Sequence, residues 1–233
     1  STMMFFTEQG RLYWIKVYDI PEGNRQSKGR ALQNMINIQK GDKVCAFIHV
    51  KNLNDQEYVD NHYLIFATKD GLMKKTTLES YSRPRANGII ALGLREGDRL
   101  IRVTLTDGNS QMLVASYNGK VVRFPEDSVR PMGRTATGVR AIKLDEDGQD
   151  RVIGMICVEE DSKESVLVIS EKGYGKRTDL NDENGEAIYR ITNRGAKGVK
   201  TMNLTDKTGN LIGLEAVTDE QDLMLITKSG TAI

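Results

Sequence analysis

The stretch QMLVASYNGKVVRFPEDSVRPMGRTATGVRAIKL, residues 111–144, decides the fold. It opens on an apolar run (112–116), turns at Asn118-Gly119 and continues through a second run (120–124). It then crosses an acid-free basic segment (130–140) and ends on another apolar run (139–144). Asn-Gly between two short apolar runs is a hairpin signal: a tight two-residue turn needs positive φ, which glycine adopts without strain. Nothing in the stretch has helical periodicity, so strands are expected throughout.

The same order of features recurs along the chain with a unit of roughly 50–60 residues. First runs lie at 44–50, 100–105, 152–158 and 211–217, and second runs at 63–68, 112–116, 166–170 and 223–227. Turns follow at Gln9-Gly10, Asp70-Gly71, Asn118-Gly119, Lys172-Gly173 and Ser229-Gly230. Third runs are 12–17, 72–78, 120–124 and 174–178; fourth runs are 31–38, 89–94, 139–144 and 199–204. Acidic turns at 41–42, 97–98 and 145–150, and a polar one at 205–210, restart the cycle.

Four antiparallel strands per unit predict an all-β chain built as a propeller-like array of four-stranded blades, a single domain over residues 1–233. The expected repeats are 1–43 (partial), 44–99, 100–151, 152–210 and 211–233 (partial), so about five blades are represented and flanking sequence is expected to complete the ring. Stacking on both faces explains why the apolar runs are dense rather than alternating. A pair of β-sandwiches would not carry one repeat through the middle of the chain.

Composition is that of an ordinary globular protein, 39% hydrophobic and 28% charged over 233 residues. No apolar run approaches the ~18–20 residues of a membrane span. The first six residues lack the basic start of a signal peptide and read as the middle of a strand, so the chain is expected to be a fragment. Cys45 and Cys157 occupy matching places in their repeats and are expected to be buried thiols of a reducing compartment. His49 and His62 are isolated. With no nucleophile–base pair, phosphate loop or metal-ligand cluster, neither catalysis nor a cofactor is expected of this chain.

The basic segments stand out by what they omit. Residues 24–30 carry Arg25, Lys28 and Arg30; 82–88 carry Arg83 and Arg85; 130–140 carry Arg130, Arg134 and Arg140; 189–200 carry Arg190, Arg194, Lys197 and Lys200. These windows hold twelve of the 33 Lys+Arg and none of the 32 Asp+Glu, so the rest of the chain carries −11 beneath an overall charge of +1. Segregated sign speaks to partners more than net charge does. A repeated blade sets equivalent loops at equivalent places, so the twelve residues are expected to form one rim. Their cations would meet successive phosphates of a duplex, with few groups suited to reading bases and with backbone N–H groups freed by glycines. Bending a duplex through 40–90° costs on the order of 1–6 kcal/mol, which asks for several blades acting together. Lys74-Lys75 and Lys176-Arg177, just past the turns, read as one residue of each pair facing out, either extending the rim or keeping an outer strand soluble. Trp14 and Tyr13 read as packing residues, and the acidic loops 145–150 and 159–164 as solvating.

Several stretches carry a resemblance: GRLYWIKVYDIP (10–21), GKVVRF (119–124) with SVRPMGR (128–134), TATGVR (135–140) and GYGKRT (173–178). They look like the C-terminal DNA-wrapping domain of bacterial DNA gyrase A, part of a type IIA topoisomerase, and the likeness covers essentially the whole chain. The resemblance implies a six-bladed β-pinwheel in which strands are exchanged between blades. It implies duplex DNA wrapped on a basic rim, largely without sequence preference, as the non-catalytic part of an ATP-hydrolysing holoenzyme that introduces negative supercoils. Implied partners are the rest of gyrase A together with gyrase B, in the bacterial cytoplasm with the nucleoid. The family's seven-residue box, of the form QRRGGRG with Lys also accepted for the first and last arginine, is missing. NRGAKG (193–198) echoes it with alanine for the second glycine, and the box itself is expected upstream of Ser1. The corresponding part of topoisomerase IV has a similar domain without a full box and remains the alternative, as does a propeller that binds proteins rather than DNA.

Overall fold

The structure, a computed structural model, describes residues 1–233 as fifteen strands, one single-turn α-helix (Gln56–Asp60) and four short 3-10 turns. Thr2–Thr7 (β1) and Arg11–Lys16 (β2) form a hairpin, followed by Val44–Val50 (β3). Tyr63–Thr68 (β4) and Leu72–Thr77 (β5) form the second hairpin, followed by Ile89–Ile90 (β6) and Leu100–Thr106 (β7). Gln111–Ser116 (β8) and Lys120–Pro125 (β9) are the third, followed by Val139–Arg140 (β10) and Val152–Val158 (β11). Ser165–Ser170 (β12) and Gly175–Asp179 (β13) are the fourth, followed by Val199–Lys200 (β14) and Leu211–Val217 (β15). Past β15 a fifth hairpin begins: Ile226 bridges Ala232 around Gly230 at φ +86°.

The strands assemble into four antiparallel sheets, ordered β3-β1-β2-β6, β7-β4-β5-β10, β11-β8-β9-β14 and β15-β12-β13. Each sheet is a hairpin extended on one side by the first run that follows it. On the other side, in three of the four, lies a two-residue strand that arrives only after the next hairpin. The sheets thus cut across the repeats: the segment 44–99 supplies a hairpin to the second sheet and both flanking strands to the first. Four strands of one unit do not make one blade; strands are exchanged between neighbours.

The fourth runs are shorter as strands than expected. Val139 and Arg140 pair with Met73 and Leu72, and Val199 and Lys200 with Val121 and Lys120. The chain then leaves the edge so that Ala91, Leu92, Ala141 and Ile142 enter the cores between blades. The run 31–38, expected as a fourth strand, forms none. Instead it makes a 3-10 turn (Leu32–Asn34) and lays Ile36 against Tyr13 and Ile15.

Dense apolar runs have the reason the repeat suggested. Strand side chains alternate between faces. On β4, Leu64 and Phe66 pack toward the first sheet while Ile65 and Ala67 pack toward the third. On β8, Met112 and Val114 face the second sheet and Leu113 and Ala115 the fourth. Neither face of a middle blade meets water. The inward strands β3, β7, β11 and β15 converge on a common axis, across which Arg102 Nη2 meets Glu215 Oε1 at 2.5 Å. Cys45 and Cys157 line this axis as free thiols. Burial, then Glu8 and Asp42, pushes Cys45 up to about 12, and burial also raises Cys157.

The two-faced burial overturns one expectation: Lys74 and Lys75 are both buried. Lys75 Nζ pairs with Glu126 Oε1 at 3.2 Å and lies 4.3 Å from the Tyr63 ring. Lys74 Nζ lies over the rings of Phe66 (4.9 Å) and Tyr81 (5.9 Å). Burial, with the Arg134 charge adding to it, presses the Lys74 ammonium down to about 7. Lys176 and Arg177, on the outer strand of the last sheet, are both exposed, where only one of the pair was expected to face out.

Gly88, Gly138 and Gly198 fix how the segments sit. All three have positive φ, and a Cβ on any of them would collide with backbone of the preceding sheet's third strand: 2.6 Å from Leu12 O at Gly88, and overlapping Met73 O and Val121 O at the other two. Gly29, at the same place in the first cycle, has positive φ and open space around it.

Gly138→Ala and Gly198→Ala are expected to lower unfolding free energy by about 3 kcal/mol or more, combining left-handed strain with backbone collision, and Gly29→Ala by only about 1–2 kcal/mol, from strain alone. Equal losses in denaturant titrations of the three would refute the close-approach argument. The second expectation concerns pH. A lysine held near 7 when folded and near ~10.4 when unfolded makes the unfolded chain bind more protons between those values, so its contribution to stability rises with pH across that window. The difference between the chain and Lys74→Met, measured from pH 6 to 9, should therefore grow above about pH 7 in favour of the unmodified chain. A flat difference would contradict the assignment.

Candidate nucleic-acid interface

In each complete sheet the order outward from the axis is first run, two hairpin strands, then the two-residue strand. The basic segments that lead into those short strands consequently run along the outer edge. They also touch one another. Gly93 N–H donates to Ala136 O (3.2 Å), Gly195 N–H to Ala141 O (2.8 Å) and Lys143 N–H to Ala196 O (2.9 Å), which joins 82–94, 130–144 and 189–204 in a hydrogen-bonded series. Arg30 and Pro84 share one hollow, which brings 24–30 beside the next segment.

Ten of the twelve proposed contact residues are exposed: Arg25, Lys28, Arg30, Arg83, Arg85, Arg130, Arg140, Arg190, Lys197 and Lys200. Arg83 pairs loosely with Glu79 (3.3 Å), and Lys200 Nζ donates to Asn203 Oδ1 (2.8 Å). The other eight direct their charge to solvent without a partner in the chain. A chain that leaves that many cations uncompensated on one edge holds a strong positive field there.

Arg134 and Arg194 are half-buried and have another task. Arg134 Nη1 donates to Ile90 O, and Arg194 Nη1 to Arg140 O at 2.6 Å, so each grips the short strand of the segment before it. Their guanidinium groups are spent on carbonyls and support the rim from within. The glycines Gly138 and Gly198 also differ from expectation: they admit the neighbouring strand's backbone rather than a phosphate. NRGAKG keeps its Arg and Gly for the same packing purpose, since Arg194, Gly195 and Gly198 all engage neighbouring backbone.

The anchoring role of residues beneath the rim went unread in the sequence, and Arg123 among them was not singled out at all. Trp14 Nε1 donates to Tyr81 O (3.1 Å) and Arg123 Nη1 to Tyr189 O (3.3 Å), anchoring the starts of two segments on the third strands. Trp14, Lys75, Arg123 and Arg177 occupy one register position across the four hairpins, and that column of long donors was the available signal. Trp14 and Tyr13 are packing residues, as read.

The acidic turns are not mere solvation. Asp42, Asp98 and Asp150 accept the turn N–H of Gln9 (3.1 Å), Asp70 (3.0 Å) and Asn118 (3.0 Å). The Asn118 amide also donates to Asp145 and Asp147, the main cause of the lowering of both carboxyls, Asp147 to about 2. Negative charge is thereby tied to the hairpin turns. No group of three or more His, Cys, Asp or Glu side chains is placed to hold a metal ion, and no helix is long and apolar enough to cross a membrane.

Known proteins match both the sequence and this architecture. Over 231 residues the chain is 42% identical to DNA gyrase A of Staphylococcus aureus, a match covering 99% of this chain and 25% of that protein. The chain spans about a quarter of the length of such relatives. The C-terminal domain of a DNA topoisomerase IV superposes with a TM-score of 0.83 at 23% identity, over 100% of this chain and 68% of the other. A DNA gyrase A C-terminal domain superposes at 0.77 and 23% identity, over 100% and 71%. These two likenesses concern the fold. The family described as DNA gyrase C-terminal domain, beta-propeller, matches residues 1–51, 62–107, 111–159 and 164–218, and the chain belongs to that family.

Proposed function

We propose that the chain binds duplex DNA along its basic outer edge and bends it, largely without sequence preference, as the non-catalytic wrapping part of a gyrase A protein. The observation that carries this reading is the alignment of the exposed cations on neighbouring segments, three of them hydrogen-bonded one to the next, with acid excluded from all four. Evenly repeated cations suit a phosphate backbone, which offers charge at regular spacing and no sequence information. Each contact releases counterions, and several together offset the ~1–6 kcal/mol of bending. Stacking on bases plays no part, since a paired duplex offers no splayed bases.

In the whole protein this part would support ATP-dependent negative supercoiling, with the remainder of gyrase A and its gyrase B partner supplying the chemistry. It needs no cofactor of its own. Two half-buried free thiols suit a reducing bacterial cytoplasm. The fold is shared with a topoisomerase IV domain, and the identity to gyrase A over nearly the whole chain supports the gyrase reading over that one.

Reversing Arg130, Arg140, Arg190 and Lys197 to Glu should abolish bending of a short duplex in a circular-ligation assay. It should make the salt dependence of binding shallower by about 0.9 in log–log slope per lost contact, with the melting temperature little changed. Arg134→Glu and Arg194→Glu should behave differently, lowering stability because each leaves a neighbouring carbonyl without its donor. Wild-type bending by the reversed chain would overturn the reading.

A further inference from the structure

The two junctions between successive basic segments are built differently. Between 130–144 and 189–204 the backbone does the joining, through Gly195 N–H to Ala141 O and Lys143 N–H to Ala196 O. Between 82–94 and 130–144 only the second of these has its counterpart, Gly93 N–H to Ala136 O. Thr135 stands where Gly195 stands in the next segment. Gly195 takes φ +84°, whereas no residue other than glycine takes positive φ anywhere in the chain. The backbone bond available to the glycine is therefore missing at the threonine.

Ala91 O, the counterpart of Ala141 O, is not left empty. Lys74 Nζ donates to it at 2.7 Å, and Tyr81 O–H at 2.7 Å. The same nitrogen donates to Arg134 O and lies 3.4 Å from Gly133 O. One buried side chain rising from β5 thus holds carbonyls of both neighbouring segments. Charged or neutral, the amino group keeps at least two N–H donors for the two nearest of them. At the matching position of the next hairpin stands Val122, buried, with no donor to offer. Where the segments join through two backbone bonds the slot is apolar; where one bond is missing the slot is lysine.

We propose that Lys74 is a positioning residue of the basic edge: its amino group replaces the missing backbone bond between neighbouring segments and sets the spacing of the second basic segment from the third, and with it the curve a bound duplex follows. The side chain is fully buried, so it acts through the segments and touches no DNA. The purpose assigned to the spacing rests on the DNA reading above; the junction itself does not.

The test is a cycle of Lys74→Met, Thr135→Gly and the two combined, in this chain. Amide exchange at Gly93 and across 133–137 reads the junction without DNA, and circular ligation of a short duplex reads the curve. Lys74→Met should speed exchange at Gly93 about tenfold, the order expected for losing one buried charge-assisted hydrogen bond, and cut ligation several-fold while low-salt affinity stays within about twofold. The combined variant, which regains the bond that Gly195 makes, should recover both. Unchanged exchange in Lys74→Met, or failure of the combined variant to recover exchange or folding, overturns the proposal. If the unmodified chain fails to bend the duplex while exchange follows the cycle, it is the DNA reading that falls and the junction that holds.

Discussion

Close contact of backbone with backbone at Gly88, Gly138 and Gly198 governs the arrangement of this molecule. Each short outer strand has only two residues, too few to secure a sheet edge by ladder hydrogen bonds alone. Without a Cβ at the preceding position the segment settles directly on the third strand of the sheet before it. The blades are then linked as a chain is linked, every hairpin held by strands that belong to a later turn of the sequence. Because each basic segment sits immediately before its glycine, blade spacing and segment spacing become the same quantity.

Charge is sorted by the same geometry. Acidic residues cap hairpin turns: Asp42, Asp98 and Asp150 each accept a turn N–H, and Asp145 and Asp147 accept from the Asn118 amide. Cations divide into those consumed by carbonyls within the edge, such as Arg134 and Arg194, and those left to solvent. Such sorting costs stability through repulsion along the edge, and a partner of opposite charge relieves it. Beneath the edge, Trp14, Lys74 and Arg123 fasten the segments from below, so the field is displayed on a track with fixed spacing rather than on loose loops.

Much of this was legible in the amino acids. The Asn-Gly turn and its counterparts located the hairpins, and the recurrence of acid-free windows located the edge. Strand exchange was not readable from the residues alone, because Val139-Arg140 and Val199-Lys200 are too short to show a period, and only the resemblance suggested it. Lys74 and Lys75 were misread because alternation assumes one wet face, while a blade in mid-array has none. Gly138 and Gly198 announced close approach correctly, but sequence does not say to what. Nor does residue type distinguish Arg134, bonded to a carbonyl, from Arg140, free in solvent; that difference lies in contacts made across blades.

The central claim is that equivalent segments on successive blades form one continuous track for a duplex. Hydroxyl-radical footprinting of a duplex bound to this chain tests it most directly. The account predicts protected backbone positions that recur at a regular interval on one face of the helix, with the most distal protections vanishing when Arg190 and Lys197 are reversed to Glu. A single short protected patch that such a reversal abolishes as a whole, or leaves untouched, would contradict it.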